Sequence, residues 1–278
     1  MKLNLKNWNF RLKAGIIILL LCFIFAYILP LFGDPKPEEW GTFFKNLKPS
    51  AEHILGTTGL GQDTFWLLCK SIRNSLNIGI LVAGVSTIIG VIIGLIAGMA
   101  KGIPDKIITL FMDTFMVIPQ LPILILIGSL MKGRTTFLVL AAIMIIFNWS
   151  SPARNVRSQA LSIRERDFID TARFSGESKT KILFKEMLPY MISWSVARFI
   201  NGILLTIQTE SSLAVIGMSN ASWATLGTMI YWANSYSAML MKQWTWILSP
   251  VVAMVIIFLG LFMTLSGYQQ YNSRVRGK

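Results

Sequence analysis

The chain has 278 residues, of which 54% are hydrophobic and only 14% are charged. This composition is too apolar for an ordinary soluble domain and indicates a membrane protein with several spans. A formal net charge of +13 would suggest nucleic-acid binding in a soluble protein. Here the basic residues cluster beside apolar runs, where they set membrane orientation, so we expect no nucleic-acid partner.

Cysteine and histidine are too few and too scattered for a metal centre or a nucleophilic active site. Cys22 lies inside an apolar run, Cys69 lies outside one, and His53 is the only histidine. We therefore expect no disulfide, no bound metal and no catalytic residue. A membrane-embedded enzyme is disfavoured for the same reason.

Apolar runs long enough to cross a bilayer occur six times, which predicts an all-α fold with six transmembrane helices. The runs lie near residues 15–32, 76–100, 107–131, 135–150, 191–216 and 244–267. The fourth is the shortest. Pro119 and Pro122 predict a kink in the third.

Most of the 26 lysine and arginine residues fall in the connections on the side of the membrane that holds both termini. Because basic residues favour the cytoplasmic side, both termini are predicted to be cytoplasmic. No small-residue cleavage site follows the first run, so we expect an uncleaved first helix. The predicted organisation is a cytoplasmic segment 1–14, a first helix 15–32, an extracytoplasmic loop 33–75, a five-helix core 76–267 and a cytoplasmic segment 268–278.

Glycines recur every four residues in the second predicted span, at Gly90, Gly94 and Gly98. This spacing stacks three positions without a side chain on one helix face, where a neighbouring backbone can approach closely. We expect this face to pack against another helix of the same chain. Subunit contact or a substrate path are the alternatives.

Residues 151–190 form a charged island between two apolar spans, with eight basic and five acidic side chains. Such a segment cannot lie in hydrocarbon, and we expect it to be a folded cytoplasmic element. A first short helix is predicted over about 162–175, because Phe168, Ile169 and Ala172 share one helical face. A second is predicted from Glu177 towards Leu188, supported by a favourable Glu177–Lys181 pair.

The two predicted helices of the charged island are punctuated by a glycine and a proline. Gly176 stands where a helix end needs a residue in the left-handed conformation. Pro189 removes a backbone donor, so we expect it to end the second helix and redirect the chain into the fifth span.

The fragment GESKT in the island invites comparison with a phosphate-binding loop. That motif needs a glycine immediately before the lysine and another five residues earlier, and these places hold Ser178 and Arg173. We therefore expect no nucleotide site, so that any ATP-driven transport would need a separate ATPase chain.

A spaced pattern runs through the charged island, formed by Asp170, Thr171, Ala172, Gly176, Leu188 and Pro189. It resembles the coupling loop of the membrane subunits of ABC importers, which begins Glu-Ala-Ala, continues to a glycine and ends Leu-Pro. The spacings agree. Asp replaces the family's Glu and Thr replaces its first Ala.

The resemblance extends over most of the chain and is closest to the second permease of the peptide and nickel importer family. Before the second span, LGTTGLGQD resembles a family motif in which Thr58 and Gln62 replace an Asp and an Arg. The C-terminus departs from the family ending. Other matching positions are Arg73, Ser75, Leu76, Asp113, Pro119, Trp149, Ala153, Arg154, Arg157, LSIRERDF, Glu210, Leu213, Gly217 and Trp223.

The resemblance implies a type I ABC importer permease fold with a cytoplasmic coupling helix, in the inner membrane of a prokaryote. The implied partners are a homologous permease, two ATPase subunits that bind ATP and Mg, and an extracytoplasmic substrate-binding protein. The chain itself would hold no cofactor and would not be an enzyme. Oligopeptides or dipeptides are the expected substrates. Nickel, a metal chelate or an opine are alternatives, as is an ion-gradient-driven secondary transporter.

Three charged residues near or inside the spans are candidates for the translocation path or a gate: Glu210, Asp113 and Arg73. An intramembrane carboxylate is costly and needs a partner, so Glu210 could lock two helices together or contact a cationic substrate. For Asp113 we expect a salt bridge to an arginine of the island. Arg73 fits either an interfacial anchor or a substrate ligand.

Overall fold

The computed structural model describes residues 8–131 and 136–276. The start of the predicted N-terminal segment at 1–7, the connection at 132–135 and residues 277–278 lie outside the described residues. Within the described ranges the regular elements are helices, and pairing between extended segments is limited to one isolated bridge, Thr57 to Asp63. The predicted all-α fold class is confirmed.

Eleven helices follow one another along the described residues. They are α1 (Phe10–Phe23, continued by a π-helical turn Ile24–Ile28 and a 3₁₀ turn Leu29–Phe32), α2 (Thr64–Met99), α3 (Ile103–Val117), α4 (Gln120–Leu130), α5 (Phe137–Asn148), α6 (Ser150–Arg164), α7 (Asp167–Phe174), α8 (Lys179–Lys181, continued by a π-helical turn Ile182–Met187), α9 (Leu188–Val215), α10 (Leu226–Ser235) and α11 (Trp244–Arg276).

The predicted spans have counterparts in helices that are long and apolar enough to cross a membrane. Five such runs are Phe10–Phe32, Thr64–Met99, Phe137–Arg164, Lys179–Val215 and Trp244–Ser273. The sixth is the pair α3 and α4, which is bent by 69°. Ile118 is extended, with ψ of 121°, because the following Pro119 disfavours a helical residue before it. The predicted kink is confirmed.

The second span begins at Thr64, well before the predicted start near residue 76. Asp63 starts the helix, since its Oδ1 accepts hydrogen bonds from the N–H groups of Phe65 (2.9 Å) and Trp66 (3.1 Å). A 36-residue helix is about 54 Å long, whereas hydrocarbon is about 30 Å thick. The helix is therefore longer than the apolar layer is thick, and the predicted loop 33–75 is partly helical.

The fourth span continues directly into the charged island. α5 and α6 are separated only by Trp149 and together form the run Phe137–Arg164. Pro152 is tolerated because it lies in the first turn of α6, where backbone N–H groups have no helical partner. The first part of the island is thus a continuous helix rather than a loop.

The chain forms two compact units, and the first comprises Met1–Gly79, Ile123–Phe137 and Leu204–Lys278. In this unit α1 packs along α11. A Cβ added to Gly15 would lie 2.5 Å from the Thr264 nitrogen, and one added to Gly267 would lie 2.4 Å from the Leu12 nitrogen. Asn9 caps α1 and also donates to the Gly267 carbonyl at 3.0 Å. The first and last long helices are held backbone to backbone.

The second unit comprises Ile80–Pro122 and Leu138–Ile203. Here the glycine face of α2 packs against α6. Added Cβ atoms would lie 2.7 Å from Pro152 Cβ at Gly90, 2.5 Å from the Ala153 carbonyl oxygen at Gly94 and 2.4 Å from Ala160 Cβ at Gly98. The predicted packing within the chain is confirmed, and its partner is α6.

The close approach of α2 and α6 can be tested with one substitution at two sites of the same helix. Gly94→Ala places a methyl group against a backbone oxygen that cannot move cheaply, and we expect a loss of about 1–3 kcal/mol. Gly84→Ala is the control, because its Cβ would lie 3.6 Å from the Phe199 ring, an ordinary contact. Thermal unfolding of the two purified variants measures the difference. Equal stability would contradict the close packing.

Candidate functional site

The second half of the charged island is a helix, a glycine turn and a further helix. α7 ends at Phe174, and Gly176, two residues later, is left-handed with φ of +77°. Its N–H donates to the Arg173 carbonyl at 3.0 Å, and the Glu177 N–H donates to the Ala172 carbonyl at 3.1 Å. This pair of bonds is the Schellman arrangement. The prediction that a left-handed glycine ends this helix is confirmed.

The first predicted helix, over about 162–175, is wrong as a single element. α6 ends at Arg164 and α7 begins at Asp167, with Arg166 extended between them. Ile163 and Ile169 are both buried in one hydrophobic cluster. Six residues apart on a continuous helix, they would point about 120° away from each other. The break allows both side chains to enter the same cluster.

The inner face of α7 is anchored in a hydrophobic cluster, called here the α7 cluster. Ile169 has no exposed surface, and two residues of the coupling pattern, Ala172 and Leu188, are partly buried against the cluster. Side chains from α2, α6, α7, the π-helical turn Ile182–Met187 and α9 meet here. The buried members are Val91, Leu95, Val156, Ala160, Ile163, Ile169, Ile182, Met187 and Met191.

The outer face of α7 is polar except at one position. Asp170 is exposed and pairs with Arg173 at 2.9 Å, while the Thr171 hydroxyl donates to the Asp167 carbonyl at 3.0 Å. Phe174 is 91% exposed. Sequence reasoning missed this residue, although it lies five positions after Ile169 and hence about 140° from the buried face.

The predicted redirection of the chain at Pro189 is wrong. Pro189 is the second residue of α9, and the helical run Lys179–Val215 passes through it. The preceding turn, Ile182–Met187, is π-helical, and the Leu188 N–H donates five residues back to the Leu183 carbonyl. This wider turn gives room for the proline ring, which would otherwise clash with the carbonyl four residues earlier.

Glu177 and Ser178 come directly before α8, the second helix of this element. The Glu177 carboxylate lies 2.6 Å from Lys181 Nζ, so the predicted pair is confirmed. The hydrogen bond from Lys181 lowers the pKa of Glu177 from its usual value. Ser178 accepts from the Lys181 N–H and caps the helix. The acid is therefore ionised and paired at neutral pH.

Arginines on α6 tie the charged island to neighbouring helices of the same unit. Arg157 donates to both carboxylate oxygens of Asp105 in α3, at 2.7 and 2.8 Å. Arg164 donates to the Gly98 and Ala100 carbonyls at the end of α2, at 3.0 and 3.2 Å.

Asp113 takes part in the same set of contacts. It pairs with Arg154 of α6 at 2.8 Å, so the predicted salt bridge to an arginine of the island is confirmed. Sequence reasoning missed the Arg157–Asp105 pair, although Arg157 was among the matched positions. A role for Asp113 in the translocation path stays a prediction.

The other two candidates for the path or gate have different partners. The Arg73 guanidinium is exposed and lies 5.4 Å from the Tyr27 ring centroid, which fits an interfacial anchor. Glu210 is buried and accepts hydrogen bonds from the hydroxyls of Thr225 (3.0 Å) and Ser219 (3.4 Å). These contacts lock α9 to the start of α10, as one of the two interpretations of Glu210 predicts.

In the segment before α2, the two residues that differ from the family motif, Thr58 and Gln62, contact each other. Thr58 and Gln62 are both buried, and the Thr58 hydroxyl lies 3.4 Å from Gln62 Oε1. Gln62 also donates through Nε2 to the Glu38 carbonyl at 2.8 Å. A neutral hydrogen-bonded pair therefore occupies the places where the motif has an acid and an arginine.

The described residues form an all-helical membrane chain with a folded polar element between its fourth and fifth spans, which fits a transport permease. Residues 90–276 match the family described as binding-protein-dependent transport system inner membrane component. The chain belongs to this family. The resemblance drawn from the coupling pattern is thereby confirmed.

Three curated relatives show how far the similarity extends. The oligopeptide transport system permease protein OppC of Lactococcus lactis subsp. cremoris (strain SK11) is 30% identical over 250 residues, which cover 89% of this chain and 85% of the relative. The dipeptide transport system permease protein DppC of Bacillus subtilis (strain 168) is 30% identical over 217 residues, covering 78% and 67%. OppC of Mycobacterium tuberculosis (strain ATCC 25618 / H37Rv) is 27% identical over 218 residues, covering 78% and 75%.

The ion pairs Arg157–Asp105 and Arg154–Asp113 differ in exposure, so lysine substitutions at the two arginines should destabilise the protein by different amounts. Arg157→Lys replaces a planar fork by a point charge and loses one of two charge-assisted hydrogen bonds, at a cost of about 1–2 kcal/mol. Arg154→Lys is the matched control: its pair with Asp113 is more exposed, so the change should stay below about 0.5 kcal/mol. Thermal unfolding in detergent compares them. If Arg154→Lys lowers the stability more than Arg157→Lys does, the Arg157–Asp105 pair is not the stronger of the two.

Proposed function

We propose that this chain is one of the two membrane subunits of an ATP-driven ABC importer that carries oligopeptides or dipeptides. The observation that carries the proposal is the α7–Gly176–α8 turn, whose inner face is buried and whose outer face is exposed, in a chain of the binding-protein-dependent transport family. The relatives named as oligopeptide and dipeptide permeases support peptides over nickel, a metal chelate or an opine.

The proposed assembly has further subunits on both sides of the membrane. A homologous permease would enclose the path together with this chain, and a substrate-binding protein would deliver peptide from outside. Two ATPase subunits would bind ATP and Mg and perform the hydrolysis. We propose that the chain lies in the inner membrane of a prokaryote, and the excess of lysine and arginine supports a cytoplasmic position for both termini and the charged island.

Coupling would pass through the α7 cluster. Packed side chains transmit displacement because a close-packed interior has few voids to absorb it. Force applied to the outer face of α7 would reach α2, α6 and α9 through Ile169 and its neighbours. The bidentate Arg157–Asp105 pair would carry it on to α3. A transporter driven by an ion gradient has no use for such an exposed, anchored element.

The glycine turn gives a direct test of coupling. A Cβ at Gly176 would meet nothing within 4 Å, so the position demands only the left-handed conformation, which costs other residues about 1–2 kcal/mol. Gly176→Val should distort the turn and reduce ATP-dependent uptake by about tenfold while membrane insertion is retained. Gly176→Asn is the control, because asparagine tolerates this conformation, and its uptake should stay near wild type. Full uptake by a correctly inserted Gly176→Val variant would refute the coupling role.

The outer face of α7 predicts an ATPase docking surface centred on Phe174. Removing an exposed aromatic anchor typically weakens an interface by about 1–3 kcal/mol, which is roughly five- to 150-fold, so Phe174→Ala should reduce ATPase recovery with the purified complex. Asp170→Lys should act in the same direction. Phe262→Ala removes a phenylalanine that is 60% exposed on a spanning helix and should leave recovery unchanged. Equal recovery for Phe174→Ala and Phe262→Ala would remove α7 from the interface.

A further inference from the structure

Glu210 is a buried carboxyl group that forms no ion pair among the residues that the structure describes. It lies in α9, is 1% exposed, and accepts hydrogen bonds from the hydroxyls of Thr225 and Ser219 at Oε1. Its Oε2 is buried and has no hydrogen-bond partner. Among the residues that the structure describes, the lysines and arginines that form ion pairs do so with other acids.

An ionised carboxylate in this position would have two hydroxyl donors at Oε1, but no counter-charge among the described residues. Moving an unpaired charge from water into a low-dielectric interior is so unfavourable that such groups are neutralised instead. The start of α10 carries partial positive charge, but two of its N–H groups are engaged elsewhere. Leu226 donates to the Ser75 hydroxyl at 3.1 Å, and Thr228 donates to the Thr225 hydroxyl oxygen at 3.2 Å.

We propose that Glu210 carries a proton in the folded chain and acts as the positioning residue that fixes the start of α10. The neutral acid accepts both hydroxyl hydrogen bonds at Oε1 and holds its proton at Oε2. The hydroxyl of the next residue, Ser211, is also buried and lies within reach of the Glu210 carboxyl group. A hydroxyl oxygen can accept a hydrogen bond from a proton at Oε2.

The element that Glu210 positions is α10, and the contact runs through Thr225. α10 has ten residues and is too short to cross a membrane. Its first residue is preceded by Thr225, which forms a capping box with Thr228 and donates to Glu210. In the importer of the proposed function, on which this step rests, this bond holds α10 in register with the fifth span.

Infrared spectroscopy of the purified transporter tests the proton without reference to transport. The wild-type minus Glu210→Gln difference spectrum should show a protonated carboxyl stretch at neutral pH. Glu177→Gln is the matched control, because Glu177 is paired with Lys181, and its difference spectrum should show carboxylate bands alone. A Glu210 spectrum with carboxylate bands alone overturns the proposal.

Peptide uptake by the complete transporter tests the positioning role. Glu210→Gln keeps a neutral acceptor and donor, so uptake should stay within about twofold of wild type. Glu210→Ala and Thr225→Val leave buried partners unsatisfied and should reduce uptake about tenfold, with Thr225→Ser restoring it. If Glu210→Gln transports as poorly as Glu210→Ala, the charged form is required and the proposal is wrong. Absence of ATP-dependent uptake in the wild type would instead refute the proposed function and leave the spectral result standing.

Discussion

The burial of Ile169 is the contact on which the charged island depends. A polar segment between two spans would be free to detach from the membrane helices if nothing apolar held it. Ile169 commits α7 to a cluster shared with α2, α6 and α9, and burial of such a side chain contributes about 1.5–3 kcal/mol. The break before α7 and the glycine after it both orient the helix so that this residue points inward.

Around that anchor, glycines and arginines serve complementary purposes in the second unit. The glycines of α2 bring two backbones together, which leaves no room for sliding. The arginines of α6 then engage α3 and the end of α2 through charged or carbonyl oxygens. Apolar contact sets the distance between the helices, and polar contact sets their register. The charged island is therefore held to α2 and α3.

The sequence predicted the elements whose signals are local and missed those that depend on distant contacts. Six apolar runs, the proline kink and the Gly176 turn follow from composition and backbone sterics, and each is present. The break at Arg166 was not predictable, because it depends on which cluster Ile163 and Ile169 share. Pro189 was misjudged because a π-helical turn can absorb a proline that ordinarily ends a helix. The partners of Glu210 come from a segment with no periodic signal.

The pairing of α1 with α11 has a consequence for biosynthesis. Gly15 meets Thr264, and Gly267 meets Leu12, only when both helices are in the bilayer, so α1 leaves the ribosome long before its neighbour α11 is made. During translation of the helices in between, its bare glycine face must be shielded by lipid or by an insertion factor. If translation stopped before α11, the face of α1 that carries Gly15 would stay without its partner helix. Quality-control proteases could recognise an unfinished chain by that exposed face.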